Sequence, residues 1–446
     1  MKILSAIPIA IVAACLPLEL RGQQSPVMII ERELPHLVST YKTLHAAPEL
    51  STHEENTAAF LSKELRVLGY EVTDHVGRYE GTGREAFGVV AVMKNGKGPT
   101  VLVRSDMDAL PVLEKTGLPY ASKVVSKGDN GQETGVMHAC GHDVHMTCLI
   151  GTAKVLAELR DQWSGTLVLI GQPAEEMITG ARAMLNDGLY SRFPKPDYAL
   201  ALHDYPVEAG KVGIHPGYVM ASGTSVEIVI HGVGGHGSKP EATKDPIIMA
   251  AELILALQTI VSRENSPFEP AVVTVGSIHG GTRGNIIPDE VKLQLTVRTY
   301  KEDVRRKIMA SIERITAGIA KTAGVPDELA PIVSYADVPH TPTFNDPELT
   351  ARLTLVFRKT LGEENVLDAP PIMGSEDFGL FGLDQRQIPV CMFFLGMCDP
   401  AEVEKSRNDG RELPGLHSPY FSPLPEPTIT TGIKAMSAAV LDLLKK

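Results

Sequence analysis

Between residues 51 and 202, short unbroken apolar runs alternate with stretches whose apolar residues recur at helical spacing. Ser51-Thr52-His53-Glu54 reads as a capping box opening a helix, with Ala58, Leu61, Leu65 and Leu68 on one face and Gly69 as the stop. The runs at 87–93 and 100–104, bounded by Gly and Pro, have the pattern of strands buried on both faces. A helix over 144–159, a strand over 166–170, a helix over 179–186 and a strand over 198–202 continue the series. Such alternation predicts an α/β unit with a mainly parallel sheet covered by helices, because parallel neighbours need a crossover that packs back on the sheet.

Around Ser222 the period changes. Residues 224–231, 271–277 and 291–300 alternate in the manner of antiparallel strands, and 246–261 and 301–322 carry amphipathic helical spacing. After about Ser334 the first pattern returns, with a helix over 347–361, a strand over 390–394 and a terminal helix over 428–444. The simplest arrangement is one α/β domain, 28–221 with 334–446, interrupted by a smaller α+β domain at 222–333. A chain of 446 residues suits this, since single domains commonly run to about 100–200 residues. The sequence carries no internal repeat and no low-complexity linker.

The N-terminus differs from the rest. Lys2 precedes an apolar run from Ile3 to Leu18, with the charge and length of a secretory signal rather than of a membrane span. Pro8 and Pro17 argue against a buried helix there. Segment 1–22 is therefore set apart from the fold. Cleavage near Gly22 would release a soluble protein, whereas Val12-Ala13-Ala14-Cys15 resembles the bacterial lipobox and would place a lipid anchor on Cys15. Either route leads to the periplasm or cell envelope, with no membrane span in the mature chain. In that oxidising setting Cys391 and Cys398 are a candidate disulfide pair. Composition removes one further class of partner: 54 acidic against 42 basic side chains, without a basic stripe, argues against nucleic acid.

The chemistry lies where the predicted strands end, the edge at which α/β sheets present reactive groups. The strand ending at Arg104 runs into Ser105-Asp106-Met107-Asp108. Met137-His138-Ala139-Cys140-Gly141-His142-Asp143-Val144-His145 precedes a helix. The strand ending at Ile170 opens into Gln172-Pro173-Ala174-Glu175-Glu176, and the strand ending at Leu202 delivers His203-Asp204. Singly these are weak signals, since acidic pairs are usually solvated and a lone His is usually structural. Together, imidazole, thiolate and carboxylate suit zinc or a similar borderline-soft cation, and a thiolate disfavours magnesium or calcium. Zinc-finger spacing and HExxH are both absent, so the ligands must converge from distant segments.

Competing motifs are weaker. Gly232-Val233-Gly234-Gly235-His236-Gly237 matches GxGxxG, but Ser238-Lys239-Pro240 follows in place of a phosphate-binding helix. No GxSxG elbow occurs, and Gly374-Ser375-Glu376-Asp377 lacks the second glycine. A Cys140 nucleophile is a minor alternative that fits the Glu pair less well than metal binding does. Cys148, His45, His53, His215 and His340 have no supporting context and are read as structural.

DMDALP, HACGHDxH, PAEE, a strand-end LH, a GGHxxxPE segment, NIIP, GSEDF and a late LHSP follow one another in order. On these motifs the chain resembles the aminoacylase and carboxypeptidase family of metallohydrolases, in its branch of hippurate hydrolases and auxin-conjugate amidohydrolases. The resemblance covers nearly the whole mature chain. It implies a dizinc-exopeptidase-type catalytic domain with an inserted ferredoxin-like lid and dimerisation domain, and a homodimer formed through that insertion.

The resemblance further implies five metal ligands, Cys140, His142, Glu176, His203 and His417, holding two divalent ions per subunit, with zinc favoured and manganese, cobalt or nickel as alternatives. It makes Glu175 the general base and Asp108 the carboxylate orienting a metal-binding group. Asp106 stands where more distant relatives have a histidine ligand, and Cys140 takes the bridging position that those relatives give to a carboxylate. His236 falls on a histidine that reaches into the partner's active site. Two ions about 3.5–4 Å apart can activate a water and stabilise an amide oxyanion, which agrees with this set.

Asn285 and Arg298 are candidate substrate contacts in the inserted domain. Arg298 can fork onto a substrate carboxylate, or equally serve in an interface ion pair. The expected activity is hydrolysis of N-acyl amino acids or related conjugates. A carboxypeptidase or dipeptidase on small peptides is the nearest rival, and a non-catalytic envelope binding protein is the alternative of another class.

Overall fold

Four apolar runs form the centre of an eight-stranded sheet because their side chains find cover on both faces. In the computed structural model, which describes residues 24–127, 131, 133–335, 341–383 and 386–446, these are Gly165–Gln172, Thr100–Asp106, Tyr198–Glu208 and Val390–Cys398, mutually parallel in that order. Segment 1–22, with Cys15, and His340 lie outside the described residues. Glu71–Arg78 and Glu85–Asn95 add an antiparallel hairpin at one side, and Val212–Ile214 and Val366–Asp368 extend the other. The sheet is thus parallel at its centre and mixed at its margins, where a short connection can join only antiparallel neighbours.

Helices Pro26–Ala46, His142–Glu158 and Pro425–Leu443 pack together on one face. Leu37, Tyr41, Leu149, Leu169, Phe393 and Ile433 share the core beneath them. On the other face Ala181 and Met184 of helix Gly180–Asn186 join Phe378 and Phe381.

The capping box expected at Ser51–Glu54 does not form. Helix Glu55–Val67 has no side-chain cap from Glu54. Its first N–H groups are taken instead by Glu49, which accepts from Asn56 N at 3.2 Å and Thr57 N at 2.7 Å. Ser51 and Glu54 are turned inward to other partners. The expected disulfide is also absent: Cys391 and Cys398 are both free, at opposite ends of one extended strand. Seven residues of extended chain separate them by far more than the 7 Å beyond which a bridge cannot close.

The inserted unit has its own core, including Val226, Ile228, Leu253, Leu293 and Ile308. Its antiparallel strands run in the order Ala271–Gly280, Glu290–Thr299, Gly217–His231 and Ile332–Tyr335. Helices Pro246–Thr259 and Glu302–Thr322 cover one face. Strand Gly217–His231 passes through both units. Its first residues pair with Thr343–Asn345 and Ile372–Ser375, and Ser222 to His231 pair with Glu290–Thr299. Residues on this strand and its neighbour therefore face the catalytic unit directly.

Candidate metal centre and active site

The potential ligands come from strands, from the turns after them and from the start of one helix, with His417 in the turn between helices Pro400–Asp409 and Pro425–Leu443. Asp106 closes Thr100–Asp106, His203 lies in Tyr198–Glu208, and Glu175 and Glu176 follow Gly165–Gln172. Cys140 precedes helix His142–Glu158 across Gly141, whose φ is +82°. A Cβ on Gly141 would meet Asp204 Oδ2 at 2.5 Å, so the turn and the close approach both require glycine.

Ligand atoms of Cys140, His142 and His203 lie within 4.8 Å of one another, and so do those of Cys140, Glu176 and His417. The two groups share Cys140. Its sulfur is 3.6 Å from His203 Nε2, and His417 Nε2 is 3.4 Å from Glu176. Both ring nitrogens of His142 and Oε1 of Glu176 are buried without a hydrogen-bond partner. Orphaned buried polar atoms cost about 1–3 kcal/mol each. A cation in each group would satisfy Glu176 Oε1 and one His142 nitrogen, with Nδ1 left to Asp108 at 3.3 Å, so the donor set fits a metal pair.

The neighbouring residues orient this set. His203 Nδ1 bonds the Asp204 carbonyl at 2.8 Å, leaving Nε2 turned toward Cys140. Asp108 accepts from the backbone N–H of Glu175 at 3.1 Å and of Glu176 at 3.0 Å, accepts the Ser51 hydroxyl at 2.6 Å, and approaches His142 Nδ1 at 3.3 Å. His145 Nε2 accepts from Asp204 N at 2.8 Å, so the proton is on Nδ1, which donates to Asp106 at 2.7 Å. Burial holds His145 neutral by pulling it down to about 4. With both nitrogens engaged, it is a support and not a ligand.

Behind Asp106 sits Arg104, fully enclosed, donating to Asp106 at 2.7 Å, Gln172 at 2.8 Å and Glu376 at 2.8 Å. Arg104, His145 and Glu376 were not singled out by sequence reasoning. A lone Arg within an apolar run and the acidic pair in GSEDF were the available signals.

The electrostatics are those of crowded anions. Burial, then Glu376 and Glu176, push Glu175 well above the usual carboxylate range. Burial also pushes the Cys140 thiol up, with Glu176 adding to it. Burial opposes a charge on His142, yet Asp106 and Asp108 outweigh it and raise the group to about 10. A divalent cation reverses this logic, stabilising thiolate, carboxylate and neutral imidazole together.

Cys140, Glu175, Glu176, His203 and His417 floor a cavity of about 310 Å³. Its walls are apolar at Ile178, Met220, Ile372 and Leu416, and Arg298 with Ser375 forms a polar side. Arg298 donates to the Ser375 hydroxyl; only burial shifts its pKa, downward, without help from a nearby carboxylate. Among the described residues Arg298 makes no ion pair.

His236 and Asn285 are not brought to this cavity. His236 is exposed on a two-residue strand paired with Ile286–Ile287, and Asn285 is exposed beside it, accepting from Gly237 N at 2.9 Å. Ser238 N donates to His236 Nδ1 at 3.1 Å, which leaves the proton on the outward Nε2.

A family model described as Peptidase family M20/M25/M40 matches residues 102–442. The chain belongs to that family. It is 39% identical over 341 residues to the hippurate hydrolase of Campylobacter jejuni, covering 76% of this chain and 82% of that protein. It is 36% identical over 366 residues to thermostable carboxypeptidase 1 of Saccharolobus solfataricus, covering 81% and 85%. Among solved structures, the Bacillus subtilis YXEP protein, described as a dinuclear metal binding peptidase of the M20 family, superposes with a TM-score of 0.70 at 28% identity, covering 93% of this chain and 99% of that one. The family carries the fold expected from the sequence, a mixed α/β catalytic unit with a lid, and its members are hydrolases.

Proposed function

We propose that this protein hydrolyses the amide bond of N-acyl amino acids or related conjugates with two divalent cations, zinc being favoured by the thiolate, imidazole and carboxylate donors. The observation that carries this reading is the pair of ligand groups sharing Cys140 beside a cavity that also holds Glu175, apolar walls and a guanidinium that, among the described residues, has no carboxylate partner. Cys140, His142 and His203 would hold one cation, and Cys140, Glu176 and His417 the other. Bound there, the pair supplies Lewis acidity that lowers the pKa of water and stabilises charge on the substrate oxygen.

The chain's residues do the rest. Glu175 accepts the proton of the attacking water and returns it to the amine nitrogen as the C–N bond breaks. Arg298, held by Ser375, takes the carboxylate of the amino-acid half, and Ile178, Met220, Ile372 and Leu416 receive the acyl group.

His236 would act across a homodimer, donating from Nε2 to the developing oxyanion of the partner's site. Its distance from its own cavity, its outward donor and the exposed Ile247, Ile248 and Leu255 on the inserted unit's helix support that reading. Asn285, its neighbour, would reach the same partner site. Lys2 and the apolar run after it support export, with Cys15 the residue for a lipid if one is attached.

Turnover of hippurate, a panel of N-acyl amino acids and dipeptides, each with and without chelator, tests the reading. Loss of acyl amino-acid turnover on chelation is expected. A preference for dipeptides would favour a carboxypeptidase or dipeptidase, and full activity without metal would refute the mechanism.

A further inference from the structure

Three consecutive backbone N–H groups fasten the turn that presents the two glutamates. Ala174 donates to Glu54 Oε1 at 2.8 Å, and Glu175 and Glu176 donate to the two oxygens of Asp108. Ala174 sits at φ +47° and Ile178 at φ +54°, in the left-handed region that side chains with a Cβ seldom occupy. Such a conformation persists only where the surroundings over-determine it.

Glu54 is fully buried. Its Oε1 accepts from Thr52 N, at 2.7 Å, as well as from Ala174 N, and among the described residues its second oxygen has no hydrogen-bond partner. Helix capping does not explain a buried carboxyl here, since Glu49 serves the helix start. The same segment is stitched to the Asp108 loop: Ser51 donates to Asp108, and Ala109 N donates to the Glu49 carbonyl at 2.8 Å.

We propose that Glu54 is a positioning residue for the reaction, locking the left-handed turn at Ala174 so that Glu175 faces the cavity while Glu176 faces Cys140 and His417. This rests on the reading of Glu175 as base and Glu176 as ligand. Asp108 fixes the two glutamate amides and Glu54 fixes the residue before them, so the segment 49–54 and the Asp108 loop act as one frame. Burial, with the Asp108 charge nearby, pushes Glu54 up to about 8, which makes the neutral amide of glutamine a close mimic.

Glu54→Gln, Glu54→Asp and Glu54→Met separate positioning from packing. Gln retains the acceptor at the same reach, Asp keeps a carboxyl but withdraws it by one methylene, and Met keeps the volume without an acceptor. The readouts are kcat and KM on hippurate, metal content, and amide hydrogen exchange across residues 173–179. Asp and Met are expected to lower kcat about 100-fold, the scale of an ångström-sized misplacement, with KM nearly unchanged. They should also speed exchange across the turn by roughly tenfold or more, as local opening becomes easier. Gln should match wild type in both.

Wild-type exchange and turnover in Glu54→Asp, or a loss in Glu54→Gln equal to that in Glu54→Met, would overturn the proposal. If Met does not fold, the Asp and Gln pair still decides. Failure of the functional reading is distinct: wild type would be inactive across the substrate panel, or Glu175→Gln would keep its turnover, while hydrogen exchange would still report whether Glu54 holds the turn.

Discussion

The floor of the cavity and the His236 loop are built in opposite ways. At the floor, the functional side chains other than the exposed His417 are buried or nearly so, and most are held from behind: Glu175 and Glu176 by Asp108, His203 by the Asp204 carbonyl, and Asp106 by Arg104 and His145. In the loop, His236 and Asn285 are exposed, and His236 is steadied by little more than Ser238. Preorganisation costs least where it is paid for once by the fold, and metal ligands gain from that because orphaned groups are tolerated only when rigidly placed. A donor that must meet a second subunit can instead be ordered on assembly. The contrast separates what this chain completes alone, a ligand set with a base beside it, from what it would receive from a partner.

His236→Ala breaks the comparison most severely. If the loop supplies an oxyanion donor, turnover falls about 10²–10³-fold, the usual cost of losing such a donor, with metal content unchanged. Mixing His236→Ala with Glu175→Gln subunits under exchange conditions should restore activity, since one site of the heterodimer is whole. No recovery despite proven subunit exchange would confine His236 to its own chain or remove it from the reaction.

Arg298→Ala sharpens the account of the cavity wall. Charge-assisted hydrogen bonds contribute about 1.5–3 kcal/mol, so KM for an N-acyl amino acid should rise roughly 10–100-fold. The corresponding amino-acid amide, which lacks the carboxylate, should be little affected. Equal losses on both substrates would remove the carboxylate from the argument.

The smallest effect is one of stability, behind the floor. His45 is buried between Asp143 at 2.7 Å and Glu114 at 3.2 Å, and although burial opposes its charge, these partners raise it from 6.5 to about 10. A folded pKa above the unfolded one stabilises fully below the unfolded value and is lost as pH rises through the folded value. The deficit in Tm of His45→Gln should therefore be largest near pH 6 and shrink toward pH 10. A deficit that grows with pH would contradict the charged pair.

Much of this was legible in the sequence, because metal chemistry needs rare residue types at strand ends and apolar runs mark those strands. Cys140, His142, Glu176, His203 and His417 come together in two groups, and Arg298 lines the cavity with Cys140, Glu176, His203 and His417. The supports were harder to read. Ser51 and Glu54 fit a capping box in sequence but bond across to Asp108 and Ala174, since S-x-x-E spacing does not say which way the side chains turn. Arg104 read as the end of an apolar strand, and its partners Asp106 and Glu376 lie far apart in the chain. Helix Pro26–Ala46, capped by Ser25 and opened by Pro26, starts only a few residues after the apolar leader, so its start signal merges with the end of that segment in the sequence. His236 and Asn285 carry motif positions, but in this chain neither lines the cavity.

In the proposed mechanism the adjacent glutamates divide their labour, Glu175 as base and Glu176 as ligand. Metal content per chain and hippurate turnover, measured side by side for Glu175→Gln and Glu176→Gln, test it most directly. The account predicts that Glu175→Gln keeps its cations and loses turnover by about 10²–10⁴-fold, the range of general base catalysis, while Glu176→Gln loses both. Equal loss of metal in the two variants, or loss in Glu175→Gln alone, would contradict it.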